Sequence, residues 1–486
     1  MKRVFTRLSL LFILLTPLSA FAGSGFSPAG QPEYDFLYDR FERLEANSLD
    51  RFDYQLGPYR LDRIDSVIGP FAWLTQLSDH KIATFAYAGE SLRAARLARG
   101  HGYASLRGGI AAQPSAKLYI NANLILDEQR AKDPTYTGKK WRGFAGDIEN
   151  AWANYQTGGF DLTLGRFASF WGNRRSLVLG DNAPMDGLAY SYRWGRLTIS
   201  YRLGQLRGLD PAHDSVPDYV NRYFAGHRFD LHFSNSIRAG IFETIVFGGP
   251  GRPIDLYYLN PLIFFHGAQL NEGHDDNSSV GLDFSVKPRQ GCNLYGQLLI
   301  DDFQFDRKTQ GDQKPNMYGL QAGGYFADVI PSLDIRAEYS RVSNWTFNQR
   351  LKQNRYLYDN RLISAALGDD YDLTTISAFR WFGDQKCASL NLRLWRQGEG
   401  SVTAPWTEPW LQVVGSYSEK FPTGVVQTTF TSSLGFKGFL FDHIFIDGEA
   451  GLDFVRNLGH VNSDNRTLPF VNLRISAFSN AIVSME

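Results

Sequence analysis

The sequence of 486 residues carries 50 basic and 50 acidic side chains, so its net charge gives no reason to expect a nucleic-acid partner. Its two cysteines are too few for a scaffold built on disulfides. Beyond the N-terminal segment there is no run of about 18 uncharged apolar residues, which argues against a transmembrane helix in the rest of the chain.

Residues 1–22 have the three parts of a secretory signal peptide. A basic start is followed by an apolar run, Leu8–Leu15, and by Ala20-Phe21-Ala22, whose small residues suit signal peptidase. We expect the mature chain to begin at Gly23. Since no cysteine follows the cleavage site, the chain is not predicted to carry a lipid.

Residues 33–51 predict an amphipathic helix, because apolar residues recur there at three-to-four spacing with charges between them. Arg60–Leu77 predicts a second helix. We assign residues 23–80 to a small helical segment on the periplasmic side. Its expected role is to pack against the mouth of the domain that follows, and docking of a periplasmic export apparatus is the alternative.

Residues 81–478 repeat segments in which apolar and polar residues alternate. In Lys117–Leu126 every second residue is apolar, and similar alternation returns in 197–203, 333–339 and 444–454. With 36 Phe, 24 Tyr, 10 Trp and 47 Gly, and a mean hydropathy of −0.28, this pattern is typical of a membrane β-barrel. A soluble β-sandwich or propeller is the alternative, but a sandwich core would not tolerate so many inward Arg and Asp residues.

The connections between these segments fall into two kinds. Short turns are predicted near Gln113-Pro114, Gly158-Gly159, Trp194-Gly195, Asn235, Pro288–Gly291, Pro331-Ser332 and Gly383-Asp384. Long loops are predicted at 127–146, 169–185, 205–225, 248–276, 303–315, 343–370 and 398–424. In outer-membrane barrels the short turns face the periplasm and the long loops face outward.

The parity of these connections predicts the topology. A first strand within 82–97 and a last strand at 468–478 are needed, which makes about 18 strands in total. The predicted fold is therefore all-β and transmembrane, an antiparallel outer-membrane β-barrel over residues 81–478. Residues 479–486 are expected to form a C-terminal tail.

The two cysteines are expected to be free thiols. Cys292 and Cys387 each follow a short turn and begin strands that are four positions apart around the wall. Four strand spacings are roughly 19 Å, well beyond the reach of about 7 Å between Cα atoms that a disulfide permits.

A series of short motifs resembles the capsule-assembly Wzi family of outer-membrane barrels. In chain order they are Asp147-Ile148-Glu149-Asn150-Ala151-Trp152, Gly165-Arg166, Phe170-Trp171-Gly172, Gly180-Asp181-Asn182-Ala183-Pro184, Gly226-His227-Arg228-Phe229-Asp230, Glu243, Tyr258-Leu259-Asn260-Pro261-Leu262, Asp276-Asn277 and Gly281-Leu282-Asp283. The similarity covers most of residues 33–305. It implies an 18-stranded barrel, a periplasmic helical element and lectin-like binding of capsular polysaccharide.

Polysaccharide recognition requires aromatic rings for the apolar faces of sugars, and amide or guanidinium groups for hydroxyl and carboxylate groups. The candidate binding residues in the predicted loops are Trp171, Asn173, Arg174, Arg175, Tyr258, Asn260, His266, Trp345 and Trp406. We favour the cluster from Trp171 to Arg175, because a ring, an amide and two guanidinium groups fall within five residues.

The expected function is an outer-membrane protein that anchors or organises capsular or extracellular polysaccharide at the cell surface, with membrane lipid as its other partner. A porin or a polysaccharide-export channel is the alternative, and an outer-membrane hydrolase is the least favoured class. The sequence has no GxSxG, HExxH or Walker motif, so no enzyme is predicted. Neither a cofactor nor a metal is expected, and His274-Asp275-Asp276 is interpreted as a solvated loop run.

Overall fold

A computed structural model describes residues 32–47, 56–57, 81–94, 101–133, 136, 138–173, 175–180, 183–207, 220–305, 309–310, 313–440 and 444–484. The predicted signal peptide, the second predicted helix at Arg60–Leu77 and the candidate residue Arg174 lie outside these ranges. Among the helices of the described ranges, none is long and apolar enough to cross a membrane.

Antiparallel strands close into one barrel. Of the nineteen strands in the closed sheet, one is a two-residue addition, Lys140–Trp141, which leaves eighteen long strands in the described ranges. They are β1 Lys81–Ala94, β2 His101–Ser115, β3 Leu118–Asp127, β4 Phe144–Thr157, β5 Phe160–Phe167, β6 Met185–Trp194, β7 Leu197–Gln205, β8 Val220–His232, β9 Ile237–Pro250, β10 Asn277–Arg289, β11 Cys292–Asp302, β12 Met317–Ile330, β13 Leu333–Val342, β14 Tyr371–Phe382, β15 Lys386–Gln397, β16 Gln427–Leu440, β17 Ile444–Arg456 and β18 Arg466–Ser484. The predicted fold class is confirmed.

Short and long connections lie at opposite ends of the barrel, which we call the turn end and the loop end. The short connections are residues 116–117, 158–159, 195–196, 233–236, 290–291, 331–332 and 383–385. The long connections are residues 128–143, 168–184, 206–219, 251–276, 303–316, 343–370, 398–426 and 457–465. Two of them contain α-helices, α2 Glu128–Lys132 and α3 Phe265–Glu272. The predicted sorting of turns and loops is confirmed.

The first short turn lies three residues after its predicted position at Gln113-Pro114. Strand β2 continues through Pro114 to Ser115, and its pairing with β3 shifts register between Ala112 and Ser115. Proline has no N–H to give to a sheet, so it is tolerated where the pairing is irregular. The chain therefore turns at residues 116–117 rather than at the proline.

The predicted C-terminal tail is wrong. Strand β18 continues beyond Phe478 to Ser484, and Lys81 of β1 pairs with Ser484. Residues 479–484 therefore belong to the wall and help to close it. The length of this closing strand depends on its pairing with β1, at the other end of the sequence, and the alternation near the C-terminus does not reveal it.

Four charged side chains on the lumen side of the wall form one paired network. The Arg228 guanidinium on β8 donates to Asp230 at 2.6 and 2.7 Å and to Asp283 of β10 at 2.6 and 2.7 Å. Arg238 of β9 bonds the same two carboxylates. A Cβ at Gly240 would stand 2.3 Å from the Arg228 Nη2 atom, so a larger residue there would displace this guanidinium.

Both cysteines are buried free thiols, as predicted. Cys292 begins β11 and Cys387 lies in β15, so four strand spacings separate them around the wall.

Helix α1, Pro32–Asn47, lies inside the turn end of the barrel. The Phe36 ring packs against Trp381, Phe439 and Phe445, with ring centroids 5.8, 6.3 and 5.9 Å away. On its charged side, Arg336 of β13 donates to Asp39 at 3.2 Å and also to Glu42. The helix predicted from residues 33–51 is present, and both of its faces contact the lumen side of the wall.

Buried Glu45 makes the docking of α1 sensitive to pH. Burial is the largest influence and raises the pKa of Glu45 from 4.5 to about 8; Lys287 and Arg238 oppose the rise and Glu42 adds to it. The folded chain keeps a proton that the unfolded chain releases above pH 4.5, so this contribution to stability is lost as pH rises toward 8. We expect Glu45→Gln to lessen the fall in unfolding free energy between about pH 5 and pH 8, measured by denaturant unfolding in detergent. Equal pH slopes for both proteins would contradict this.

Two long loops fold inward and fill the lumen above α1. From loop 168–184, Leu177 and Val178 are buried against Phe224 and Phe242 of the wall, and Tyr356 and Ile363 from loop 343–370 join the same apolar cluster. Direct bonds join the loops: Gly180 N donates to Ile363 O at 2.9 Å, and Tyr356 Oη donates to Val178 O at 2.7 Å. We call these two loops the lumen plug.

Candidate functional site

Trp171 and Asn173 of the favoured sequence cluster are buried inside the lumen plug, and Arg175 is one-third exposed. Trp171 is 5% exposed and packs in the apolar cluster of the plug. The Asn173 amide donates to Gln321 Oε1 at 3.0 Å. Arg175 donates from Nε to both oxygens of Glu338, at 3.1 and 2.9 Å, and its Nη2 lies 3.4 Å from Glu42 of α1. These residues connect plug, wall and helix.

A second group of candidates lies on the outer face of the wall. Tyr258, Asn260 and His266 belong to residues 251–276, which we call the wall flap. Tyr258 is fully buried and its hydroxyl donates to Asp276 at 2.8 Å; burial, together with that carboxylate, raises the pKa of Tyr258. Asn260 is exposed and accepts a bond from Leu262 N at 3.0 Å. His266 Nδ1 lies 2.9 Å from Ser278 Oγ.

The remaining two candidates come together at the loop end. Trp345 and Trp406 lie with ring centroids 5.3 Å apart in an edge-to-face arrangement. Trp410 packs against both, at 5.7 and 5.8 Å, and Tyr417 packs against Trp410 at 6.3 Å. We call these four residues the aromatic cluster. Trp345 and Trp410 are buried, whereas Trp406 and Tyr417 are partly open to solvent.

Polar groups hold the aromatic cluster in place. Glu419 accepts bonds from Trp345 Nε1 at 2.9 Å and from the Tyr417 hydroxyl at 2.6 Å. Burial and this carboxylate raise the pKa of Tyr417. Lys314 Nζ lies 5.2 Å from the centroid of the Trp406 ring, a cation–π arrangement. A rigid, partly open indole beside a cation is suited to stacking on a sugar ring that carries hydroxyl or carboxylate groups.

Burial also changes the charge of a carboxyl beside this cluster. Asp369 is 1% exposed, and its burial, next to Asp370 and Glu419, raises its pKa to about 8. At neutral pH this carboxyl is therefore mostly protonated. The protonation removes one negative charge that would otherwise repel an acidic polymer near Trp345.

Three arginines converge on one carboxylate at the loop end of the lumen. Arg130, Arg207 and Arg166 place guanidinium nitrogens 2.8, 2.8 and 3.4 Å from Asp147 of β4. Arg130 and Arg207 also contact Asp359 of the lumen plug, at 3.3 and 3.5 Å. The three arginine side chains are 20–31% exposed. We call Arg130, Arg166 and Arg207 the arginine cluster, and guanidinium groups of this kind bind carboxylates and phosphates.

Sequence reasoning did not select the arginine cluster as a binding site. Its available signal was that Asp147 and Arg166 both belong to the motifs that carry the family resemblance. The fold brings these motifs to neighbouring positions on β4 and β5, and adds arginines from two loops.

Another acidic group, in the wall flap, is already neutralised by an arginine side chain. Ligand atoms of Asp255, His274 and Asp276 lie within 4.8 Å of one another, as metal ligands would. The Arg252 guanidinium lies among them, with Nη2 2.5 Å from Asp255, 2.9 Å from Asp276 and 2.9 Å from His274 Nδ1. The arginine thus supplies the positive charge that balances these carboxylates.

A family model for the capsule assembly protein Wzi matches residues 99–468. Among solved structures, Wzi from Escherichia coli, described as a carbohydrate-binding β-barrel involved in group 1 capsule assembly, aligns with a TM-score of 0.61 at 15% identity, covering 94% of this chain and 99% of that chain. The outer membrane protein OpdK from Pseudomonas aeruginosa aligns with a TM-score of 0.46 at 10% identity, covering 82% of this chain and 99% of that chain. The comparison with curated proteins finds no match.

Proposed function

Because the chain belongs to the family of the capsule assembly protein Wzi and is an outer-membrane β-barrel, we propose that it anchors capsular or extracellular polysaccharide at the cell surface. In this location the turn end faces the periplasm and the loop end faces outward. The polymer binds at the loop end, through the aromatic cluster and the arginine cluster. No catalytic role is assigned to any residue.

One observation supports the proposal most strongly. The lumen is filled, and a loop that fills it also contributes to both clusters. Loop 343–370 contributes Trp345 to the aromatic cluster and Asp359 to the contacts of the arginine cluster. One buried loop therefore fixes both clusters relative to the wall. Rigid spacing between an aromatic ring and cationic groups lowers the entropy cost of binding a repeating polymer.

The alternative, a diffusion pore or export channel, needs a continuous aqueous lumen. Helix α1 occupies the turn end, and the lumen plug occupies the space above it. Arg175 of the plug also contacts Glu42 of α1. Because contacts run from the helix to the plug, binding at the surface is favoured over passage through the barrel.

Docking of a periplasmic export apparatus is a further part of the proposal. Arg43 of α1 bonds Asp328 at 2.6 Å and also bonds Asp334, while Arg40 bonds Asp384 at 2.9 Å. These contacts anchor the helix at the rim that faces the periplasm. A partner at this end would meet both α1 and the short turns.

The proposed function predicts that Trp406→Ala weakens polysaccharide binding about tenfold, since a stacked ring contributes roughly 1 kcal/mol or more. Binding of purified variants to capsular polysaccharide measures the effect, and capsule retention by cells measures its consequence. The matched control is Trp194→Ala, which removes a 73% exposed indole at the turn end and should change neither.

Two outcomes would contradict different parts of this proposal. Normal capsule retention in a strain lacking the whole protein would remove the proposed function. Normal binding by a well-folded Trp406→Ala variant, with retention lost in the deletion strain, would keep the function and remove the aromatic cluster from the binding surface.

A further inference from the structure

The wall flap packs on the outside of the barrel. Tyr258 and Phe265 of the flap are fully buried against Ile245 and Phe247 of β9. The Tyr201 hydroxyl on β7 donates to Tyr258 O at 2.7 Å.

The alternation along β9 identifies this face as the outer one. Phe242 and Val246 point inward, because they pack with Trp171 in the lumen cluster. Residues 243, 245 and 247 must then point outward. Just below the flap, Ile241 is 60% exposed on the same outer face, and Leu282 on the paired strand is 46% exposed.

The flap covers a polar pair that would otherwise face outward at this depth. The Glu243 carboxylate accepts bonds from the backbone N–H groups of Phe265 and His266, both at 2.8 Å, at the start of helix α3. His227 Nε2 lies 3.3 Å from the same carboxylate. A charged side chain on the lipid face of a barrel destabilises it. Helix α3 therefore satisfies and hides Glu243 where the wall would otherwise expose it to lipid.

The part of the wall that the flap covers lies at the same height as the apolar belt elsewhere on the barrel. Ile245 and Phe247 stand eight and ten residues after Ile237, where β9 begins at the turn end. At the same two distances along other rising strands, Leu394 of β15 is 43% exposed and Phe454 of β17 is 44% exposed. The flap thus occupies a height at which the wall otherwise presents apolar side chains outward.

The outward side of the flap is itself apolar. Leu256, Leu262, Phe264 and Leu270 are 78%, 75%, 60% and 62% exposed. A single exposed apolar side chain is ordinary, but several on one short segment mark a contact surface. The flap is also firmly held, because Arg252 bonds Asp255 and Asp276 at its two ends.

We propose that the wall flap is embedded in the outer leaflet of the membrane, with Leu256, Leu262, Phe264 and Leu270 inserted among the acyl chains. The occupant is lipid because the surface continues into the exposed Ile241 and Leu282 of the wall, which acyl chains cover in a membrane barrel. The flap is then a second layer of lipid contact on one side of the barrel, outside the proposed polysaccharide site and independent of it.

Site-directed nitroxide labelling in lipid vesicles tests this placement. In a background with Cys292→Ala and Cys387→Ala, a label is attached at Leu262→Cys or Leu270→Cys. Leu282→Cys is the control for lipid exposure. Phe305→Cys, at a 92% exposed side chain in loop 303–316, is the control for water exposure. Heat-modifiable migration confirms the fold of each variant before measurement.

We expect both flap labels to show the oxygen accessibility of Leu282→Cys, with a ratio of oxygen to nickel-chelate accessibility several-fold above that of Phe305→Cys. Values equal to those of Phe305→Cys would overturn the proposal. Exclusion of both reagents would also overturn it. If that exclusion came with spin–spin broadening that disappears on dilution with unlabelled protein, a second copy of the chain would be the occupant.

Discussion

Substituting Arg228 by alanine is expected to lower the free energy of unfolding by about 3–5 kcal/mol, the usual cost of removing one partner from a buried ion pair. Arg228 is fully buried, and it neutralises both Asp230 and Asp283 through four bonds. Without it, two buried carboxylates would share only Arg238. Denaturant unfolding of the detergent-solubilised protein measures the loss.

A second substitution separates charge from packing. Arg228→Ala combined with Asp283→Asn leaves one carboxylate facing Arg238, so the double variant should recover part of the stability lost by the single one. The matched control is Arg466→Ala, which breaks an exposed pair with Asp464 and should leave unfolding unchanged. A single variant as stable as the wild type would show that this network does not stabilise the barrel.

The barrel could be predicted because one physical rule acts on every strand. Lipid on one side and a polar lumen on the other impose a period of two, which residues such as Leu118 and Ile120 display locally. The ends of the strands were harder to predict than the strands themselves. The turn after β2 and the end of β18 depend on pairing with neighbouring strands, and for Ser484 the partner Lys81 lies at the other end of the barrel sequence.

The direction of the loops could not be predicted from composition. The ring, amide and guanidinium groups of Trp171, Asn173 and Arg175 are suited to sugar binding, but the same groups fill and cross-link a lumen. Which of these occurs depends on distant partners: Arg175 meets Glu338, 163 residues away in the chain. Residues this far apart leave no local pattern. The sequence therefore predicts a surface position for a segment that in fact folds inward.

Part of the candidate surface could nevertheless be predicted from the sequence. Trp345 and Trp406 were both selected as loop tryptophans, and the fold brings their rings together. The arginine cluster was missed because its members come from separate loops and strands. Only Arg166 was marked by a motif, and its meaning depends on Asp147 of a neighbouring strand.

The wild-type barrel should be almost closed to ions in planar bilayers, although an open barrel of eighteen strands would hold an aqueous channel. Two layers close it. Helix α1 fills the turn end, where Phe36 packs against Trp381. The lumen plug fills the space above, where Tyr356 and Arg222 join loop 343–370 to other lumen residues.

Deleting α1 and deleting part of the lumen plug should therefore raise the conductance only in combination. Removing α1 alone should leave the conductance low, because the lumen plug still blocks the path. Replacing residues 346–368 by a short glycine–serine turn removes much of the plug, and Val342 and Tyr371 are paired, so the wall can close across the gap. This second change should also have a small effect while α1 remains. The two deletions combined should give stable single-channel conductance of porin size.

Two results would contradict this account. A folded, heat-modifiable double deletion that stays closed would mean that other segments block the lumen. A wild-type protein that conducts like an open porin would make the channel the better function.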